Sequence, residues 1–202
     1  MMDLRSFETR YLITKGFKKE NIRNPFIDYM IDKNNFPLSK SDYVSANEDS
    51  ACTSIGAAFF IVPLINAITR SGTMEEKEII FKSMLETEAY NLVLSNKRGH
   101  LLGEKEEVVI QAIRTATNVK NRQTRAEEEG LAFLEEKIQK ENLLEHKILL
   151  FLLDNNGAIP AEIRGLVANK CMAKYQRPCC VLTKTNRGTY EGSMRGYTKT
   201  GI

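Results

Sequence analysis

A long, highly charged stretch with helical periodicity is the feature that most constrains the fold of this 202-residue chain. Between residues 104 and 140, apolar side chains recur at the spacing of one helix face, and charged side chains fill most other positions. The apolar positions are Val109, Ala112, Ile113, Ala116, Val119, Ala126, Leu134 and Ile138. The pattern predicts a long helix that bridges two lobes or packs along one of them. Gly130 is a point where this helix is expected to kink or break.

The residues before the long helix predict a mostly helical region. Helices are expected over 3–16, 24–32, 51–60 and 74–85, with a loop over 33–52. Thr73 and Glu76 have the spacing of a capping box, in which each side chain satisfies a backbone amide at the start of a helix. Gly99 and Gly103 indicate breaks before the long helix begins.

The residues after position 143 predict a small α/β subdomain. Six consecutive apolar residues at 148–153 precede a turn signal, which favours a buried strand over a helix end. Further elements are expected as a helix over 161–174 and strands over 178–183 and 189–194. The fold class predicted is α/β (α+β): a helical part over 1–103, a linker helix over 104–142, and an α/β subdomain with a mixed sheet over 143–202.

Positive charge is concentrated at the end of the sequence. Residues 163–202 carry eight basic side chains against the single acid Glu191, so this stretch is +7 while the whole chain is only +3. A basic face suits a polyanion such as nucleic acid. A solvated surface that happens to be basic is the alternative, and charge by itself does not decide between them.

The cysteines and histidines do not form a recognisable metal or catalytic pattern. Cys52, Cys171, Cys179 and Cys180 lack a C-x-x-C spacing, so they are interpreted as reduced, partly buried thiols rather than as a metal or redox site. His100 and His146 lie far apart in the sequence and are interpreted as surface residues.

No segment indicates insertion into a membrane or export. The longest apolar run, 55–68, is shorter than the roughly 20 residues that span a bilayer, and it contains Gly56, Pro63 and Asn66. The first residues lack a charged-then-apolar signal pattern. We therefore expect a cytoplasmic protein with no membrane partner.

Three segments together carry a resemblance to a known family. Residues 63–70 read Pro-Leu-Ile-Asn-Ala-Ile-Thr-Arg, and 121–123 read Asn-Arg-Gln. Residues 165–170 read Gly-Leu-Val-Ala-Asn-Lys, followed by Tyr-Gln-Arg-Pro at 175–178 and Gly-Ser-Met-Arg at 192–195. In this order, the segments resemble RecJ and its phage-encoded relatives in the DHH phosphoesterase superfamily. The Asn-Arg-Gln segment has a shorter spacing than the family's own.

The resemblance implies a role in cutting single-stranded DNA. Residues 1–103 would be the end of a DHH-type catalytic domain, 104–142 the linker helix, and 143–202 a truncated DHH-associated substrate-binding domain. The expected activity is that of a metal-dependent 5′–3′ exonuclease, with Mn²⁺ or Mg²⁺ in the full-length family enzyme. Single-stranded DNA is the expected partner, with RNA as the alternative.

The resemblance also selects residues for phosphate or nucleic-acid contact: Asn66, Arg70, Gln123, Gly192, Ser193 and Arg195. Ser193 and Arg195 stand two apart on a predicted strand, so both side chains face the same way. A hydroxyl and a guanidinium on one face can bind neighbouring phosphate oxygens. Gly192 would let a ligand approach the backbone closely.

Each of these assignments has a simpler structural alternative. Asn66 and Arg70 share a helix face if their segment is helical, and they are equally explained as a helix cap and a surface arginine. Gln123, like most charged or polar positions on such a helix, is explained as a solvated residue. Ser193 and Arg195 are explained as part of an exposed edge strand.

The departures from the family pattern limit the expected activity. The sequence has no Asp-His-His triplet, and it resembles the family from just after the metal-binding motifs to just before a Gly-Gly-His-like segment. We therefore assign no catalytic residue or metal ligand and expect the chain to be inactive by itself, with the metal lobe on a separate polypeptide or another part of a longer one. Two alternatives stay open: a non-catalytic module that binds nucleic acid or a partner, and a nanoRNase or cyclic-dinucleotide phosphodiesterase.

Overall fold

A computed structural model describes residues 5–34, 56–154 and 159–198 of the chain. Two units are present, Met1–Lys120 and Asn121–Ile202, and each has its own hydrophobic core. The predicted α/β (α+β) class is confirmed, with a helical first unit, a long helix and a mixed sheet in the second unit. The three-segment division into domains stays a prediction. Within the described residues, no helix is both long enough and apolar enough to cross a bilayer.

The first unit is built from helices and one small hairpin. In chain order these are α1 (Phe7–Gly16), α2 (Pro25–Asn34), α3 (Val62–Ser71), α4 (Met74–Ser83), β1 (Leu92–Leu94), β2 (Lys105–Glu107) and the first part of α5 (Val108–Lys140). The predicted capping box begins α4: the Glu76 amide donates to Thr73 Oγ1 at 3.3 Å, and the Thr73 amide donates to Glu76 Oε2 at 2.8 Å. A π-helical turn, Ala57–Ile61, leads into α3. The predicted loop over 33–52 lies almost wholly outside the described residues.

The antiparallel β1–β2 hairpin was not predicted, and it delays the start of the long helix to Val108. Gly99 and Gly103 in its connection both have a φ of 81°, which a residue with a side chain adopts rarely. The hairpin is tied to α5 by Arg114, whose Nη1 donates to Glu106 Oε2 at 2.7 Å. The Arg114 guanidinium is the main reason that the pKa of Glu106 falls to about 2, despite burial.

The second unit contains a mixed three-stranded sheet. Its elements are the second part of α5, β3 (Leu149–Leu153), α6 (Arg164–Tyr175), β4 (Cys179–Lys184) and β5 (Tyr190–Arg195), with the strand order β3-β4-β5. Strands β3 and β4 are parallel and joined through α6, whereas β4 and β5 form an antiparallel hairpin. The predicted strands and helix are each present within a few residues of the expected bounds.

One face of this sheet is buried against helices. In β3, buried and exposed residues alternate strictly, so Leu149, Phe151 and Leu153 face the core while Leu150 and Leu152 do not. The core side chains from α5 and α6 include Leu134, Ile138, Val167, Ala168 and Cys171. The sheet, α5 and α6 therefore fold as one layer of strands covered on one side by helices.

Gly130 does not interrupt α5, because the helix runs continuously from Val108 to Lys140. A Cβ atom at Gly130 would lie 3.1 Å from Val167 Cγ2 and 3.3 Å from Ile159 Cγ1. The glycine therefore marks close packing of α5 against α6 and against the segment that leads into α6. The helical periodicity on either side outweighs its low intrinsic helix propensity.

We expect the two neighbouring strand residues Phe151 and Leu152 to differ sharply in what they contribute to stability. Phe151 is 1% exposed, whereas Leu152 is 49% exposed on the other face. Phe151→Ala should lower the free energy of unfolding by ~3–5 kcal/mol, because it opens a cavity in the core. Leu152→Ala should lower it by less than about 1 kcal/mol. Urea denaturation measures both, and equal losses would contradict the assigned faces of β3.

Candidate functional site

The β3–α6–β4 crossover places the amino end of α6 at the carboxyl edge of two parallel strands. The first turn of α6 contains no acidic residue, and no side chain caps it. Backbone N–H groups in a first helical turn lack partners within the helix, and the helix dipole is positive there. In this helix the Arg164 amide already donates to the Ala161 carbonyl of the 3-10 turn Ala161–Ile163 that leads into α6. In open α/β sheets, ligands commonly bind at this edge. Local chemistry at this end of α6 therefore favours an anion.

Ser193 and Arg195 converge on this helix end. A Cβ atom built on Gly165, the second residue of α6, would lie 2.5 Å from Arg195 Nη2 and 3.4 Å from Ser193 Oγ. On β5 the two residues stand opposite Val181 and Cys179, which are buried on the face of the sheet that α6 covers. Both side chains are half-buried, so they line this end of α6 without being sealed from solvent. Arg195 Nη1 also donates to the Met194 carbonyl at 2.8 Å, which restrains the guanidinium.

At Gly192, the backbone of β4 occupies the space that a side chain would need. A Cβ atom there would lie 1.9 Å from the Val181 carbonyl oxygen and 2.9 Å from the Leu182 Cα. Glycine is therefore required at this position by the packing of β5 on β4. The predicted contact between Gly192 and a ligand stays a prediction.

The second pair of predicted residues, Asn66 and Arg70, lies on α3 in the first unit. Both are exposed and stand one helical turn apart. Asn66 lies inside α3, whose amino-terminal cap is Ile61, so the interpretation of Asn66 as a helix cap is wrong. The Asn66 carbonyl accepts a hydrogen bond from Thr69 Oγ1 at 3.0 Å. Phosphate contact by these two residues stays a prediction.

Gln123 is almost completely buried on α5, with 5% of its surface exposed, whereas its neighbour Arg122 is exposed. The alternative that Gln123 is a solvated residue is therefore wrong. Sequence periodicity did not reveal this burial, because a polar residue on a charged helix has the same pattern whether it faces solvent or a neighbour. A role for Gln123 in binding stays a prediction.

The basic residues of 163–202 divide into structural and unpaired groups. Lys170 Nζ lies 2.7 Å from Glu127 Oε2, and Lys174 Nζ lies 2.6 Å from Glu135 Oε1, so both lysines pair with α5. The hydrogen bond to Glu135 raises the pKa of Lys174. Arg177 Nη1 donates to the carbonyl of His146 at 2.6 Å and also to that of Leu144. Those three cations are therefore engaged by other residues of the second unit.

The remaining described basic residues of this stretch are Arg164, Lys184, Arg187 and Arg195. Arg164 begins α6, and it lines one cavity together with Lys184 and Arg187. Sequence analysis did not single out Arg164, although it directly precedes the Gly-Leu-Val-Ala motif that carries the resemblance. The unpaired positive charge is therefore gathered around the amino end of α6 and the β4–β5 turn.

Metal ligands are not gathered in the part of the chain that the structure describes. There, no three His, Cys, Asp or Glu side chains lie close enough together to hold a metal ion. His100 and His146 are exposed, as predicted, and His100 Nδ1 contacts the Lys97 carbonyl at 2.6 Å. The described residues therefore do not fit the two-metal centre that the resemblance implies.

The described cysteines are free thiols. Cys171 and Cys179 are buried next to each other, and a hydrogen bond between them, together with burial, raises the pKa of Cys179 far above its ordinary value. Burial also raises the pKa of Cys180. Protonated thiols in this setting pack as small apolar side chains. Cys52 lies outside the described residues.

Comparison with known proteins gives two related matches. The chain is 29% identical over 200 residues to YorK of Bacillus subtilis (strain 168), described as an SPbeta prophage-derived single-strand DNA-specific exonuclease. The YorK protein of Bacillus phage SPbeta matches with the same identity and length. This chain is similar to single-strand DNA-specific exonucleases. The resemblance to RecJ-like exonucleases predicted from the sequence is thereby confirmed.

The match to these exonucleases covers the two proteins unequally. It includes 98% of this chain but 32% of each relative, so the chain spans about a third of the length of the exonucleases that it matches. No family model matches the sequence. No solved structure matches it either.

Gly192 on β5 and Gly196 just after it provide a matched test of the strand packing in the second unit. Gly192→Ala should lower the free energy of unfolding by ~3 kcal/mol or more, because its Cβ would overlap the β4 backbone. Gly196→Ala should change it by less than ~0.5 kcal/mol, since nothing lies within 4 Å of a Cβ there. Thermal and urea unfolding measure both variants. If Gly192→Ala were as stable as Gly196→Ala, the described packing of β5 would be wrong.

Proposed function

We propose that this chain supplies strand and phosphate binding to a metal-dependent, RecJ-like exonuclease that degrades single-stranded DNA from the 5′ end. The observation that carries the proposal is the convergence of Ser193 Oγ and Arg195 Nη2 on Gly165 at the amino end of α6. The similarity to single-strand DNA-specific exonucleases selects the substrate. A cytoplasmic location, with no membrane partner, is part of the same proposal.

The chemistry of this helix end suits a phosphodiester. A guanidinium offers several N–H donors in a fixed plane, and a serine hydroxyl donates to a further oxygen. The dipole of α6 adds positive potential at the same point. These donors act on the backbone of the strand and carry no base preference, as an exonuclease that moves along its substrate requires.

The metal ions of the proposed enzyme would be held by residues other than those described here. When bound, two such ions would activate water and stabilise charge on the phosphate that is cut. Within this chain, Ser193, Arg195 and the first turn of α6 would hold and orient the strand. We therefore propose a binding role for this part of the enzyme, with the metal lobe on another segment or another polypeptide.

Arg195→Ala should weaken binding of single-stranded DNA, because it removes a phosphate contact and its charge. We expect about tenfold lower affinity for a fluorescent oligothymidylate of about ten nucleotides, and a salt dependence shallower by about one counterion. Fluorescence anisotropy at several salt concentrations, without added divalent metal, measures both quantities.

Lys147→Ala provides the control, since it removes one positive charge from the opposite side of the same sheet. Lys147 is exposed next to Ile148, Leu150 and Met194 on the uncovered face. This variant should bind nearly as the parent does. Equal losses in the two variants would mean that net charge, rather than the α6 site, holds the strand. Absence of binding by the parent chain would count against the proposal as a whole.

A further inference from the structure

The first unit contains a cavity of about 380 Å³, the Phe59 cavity, whose lining includes two exposed phenylalanines, Phe59 and Phe60. Phe59 is 72% exposed and Phe60 is 53% exposed, whereas the next residue, Ile61, is buried in the core of the unit. Large aromatic side chains mostly contribute their area to a core or an interface. Two neighbouring rings in solvent beside a cavity therefore indicate a binding surface.

The backbone before α3 allows both rings to line the same cavity. The Val62 amide donates to the Ala57 carbonyl five residues earlier, which closes a π-helical turn over Ala57–Ile61. Such a turn holds more residues than an α-helical turn, so the directions of consecutive side chains differ less around its axis. Single π-helical turns are frequent at functional sites.

The charge around the Phe59 cavity suits a polyanion. Its apolar lining comes from α2, α3 and α5, and its charged lining residues are Lys33 and Lys120. None of the described residues that line it is acidic. A different cavity of the same unit, by contrast, is lined by three glutamates and one lysine. Electrostatic potential therefore attracts a nucleic-acid strand to the Phe59 cavity and repels it from the acidic one.

We propose that Phe59 and Phe60 stack on the bases of a single strand, while Lys33 and Lys120 attract its phosphates. Every base has a π-face, so stacking of this kind accepts any sequence. The bases of a duplex are already stacked and paired, so they are not available to these rings. Phosphate contacts at α6 do not distinguish one strand from two, because both carry phosphates. The Phe59 cavity therefore provides the preference for single strands.

The identity of the ligand as single-stranded DNA rests on the proposed function. The stacking site itself rests on other residues, in another unit, than the phosphate site of Ser193 and Arg195. Its volume lies within the range of pockets that bind small ring-containing ligands. The similarity to single-strand DNA-specific exonucleases supports the choice of a strand over a protein partner.

Phe59→Leu tests the stacking, because it keeps an apolar side chain and removes the ring. This variant should bind the fluorescent oligothymidylate about tenfold more weakly, as the loss of one base–aromatic contact predicts. It should bind a duplex of the same length as the parent does. Phe59→Tyr keeps the ring and should keep the affinity. Because Phe59 is exposed, both variants should unfold at nearly the temperature of the parent.

Phe81→Leu is the matched control. Phe81 lies on α4 of the same unit, is 64% exposed and does not line the Phe59 cavity. Its substitution should leave binding of the oligothymidylate unchanged. Equal losses in Phe59→Leu and Phe81→Leu, measured by fluorescence anisotropy, would overturn the proposal. An equal loss of duplex binding in Phe59→Leu would contradict the assigned preference for single strands.

An abasic strand of the same length separates this inference from the proposed function, because it keeps the phosphates and lacks the bases. The parent should bind it more weakly than the oligothymidylate, and Phe59→Leu should bind it as the parent does. Arg195→Ala should weaken binding of both strands.

Each result of this comparison decides between the two sites. If Arg195→Ala weakens binding but Phe59→Leu does not, the phosphate site stands, and the rings contact something other than a strand. If Phe59→Leu weakens binding of the oligothymidylate alone and Arg195→Ala has no effect, the stacking site stands and the phosphate site fails. Equal losses for both strands in Phe59→Leu would overturn the stacking. Absence of binding by the parent would overturn both.

Discussion

The contact at Gly165 is the constraint on which the candidate site depends. Because Gly165 has no side chain, the guanidinium of Arg195 and the hydroxyl of Ser193 can reach the first turn of α6. A larger residue would displace the end of the flexible Arg195 side chain, whose Nη2 lies 2.5 Å from where a Cβ would stand. No acidic residue lies in that turn, so the helix dipole and the Arg195 guanidinium both contribute positive potential there.

The scaffold that holds this contact in place is the core of the second unit. The parallel pairing of β3 with β4 fixes the direction of α6, and the antiparallel pairing of β5 brings Ser193 and Arg195 to the same face. Gly192 permits that pairing, because β5 approaches the backbone of β4 too closely for a side chain. The shared apolar core packs α6 against α5, and two lysines of α6 also pair with Glu127 and Glu135 of α5. The positions of Ser193 and Arg195 thus depend on the packing beneath them.

Sequence patterns predicted the parts of this fold that are long or strongly periodic. Helix α5 and the mixed sheet of the second unit follow from apolar periodicity, and the start of α4 follows from its capping residues. The β1–β2 hairpin was missed, since strands of three residues carry little pattern and depend on the ion pair of Glu106 with Arg114. Gly130 was misread as a break because its reason, close packing on Val167, lies 37 positions away in the sequence.

The candidate site was only partly predictable for the same reason. The two-residue spacing of Ser193 and Arg195 placed them on one strand face, but their meeting with Gly165 depends on the crossover through α6. The burial of Gln123 depends on the rotation of α5 about its own axis. Periodicity gives the side of an element on which a residue lies, and it does not give the partners that the residue meets there.

The central claim is that the amino end of α6, with Ser193 and Arg195, binds the phosphates of a single strand. Nuclear magnetic resonance of the isotope-labelled chain during titration with a short oligothymidylate tests it most directly. We predict saturable shifts of the Gly165 and Ser193 amides and of the Arg195 side-chain Nε–H, all weakened by added salt. If those signals stayed fixed while residues on the uncovered face, such as Leu150 and Met194, shifted to saturation, the claim would be contradicted.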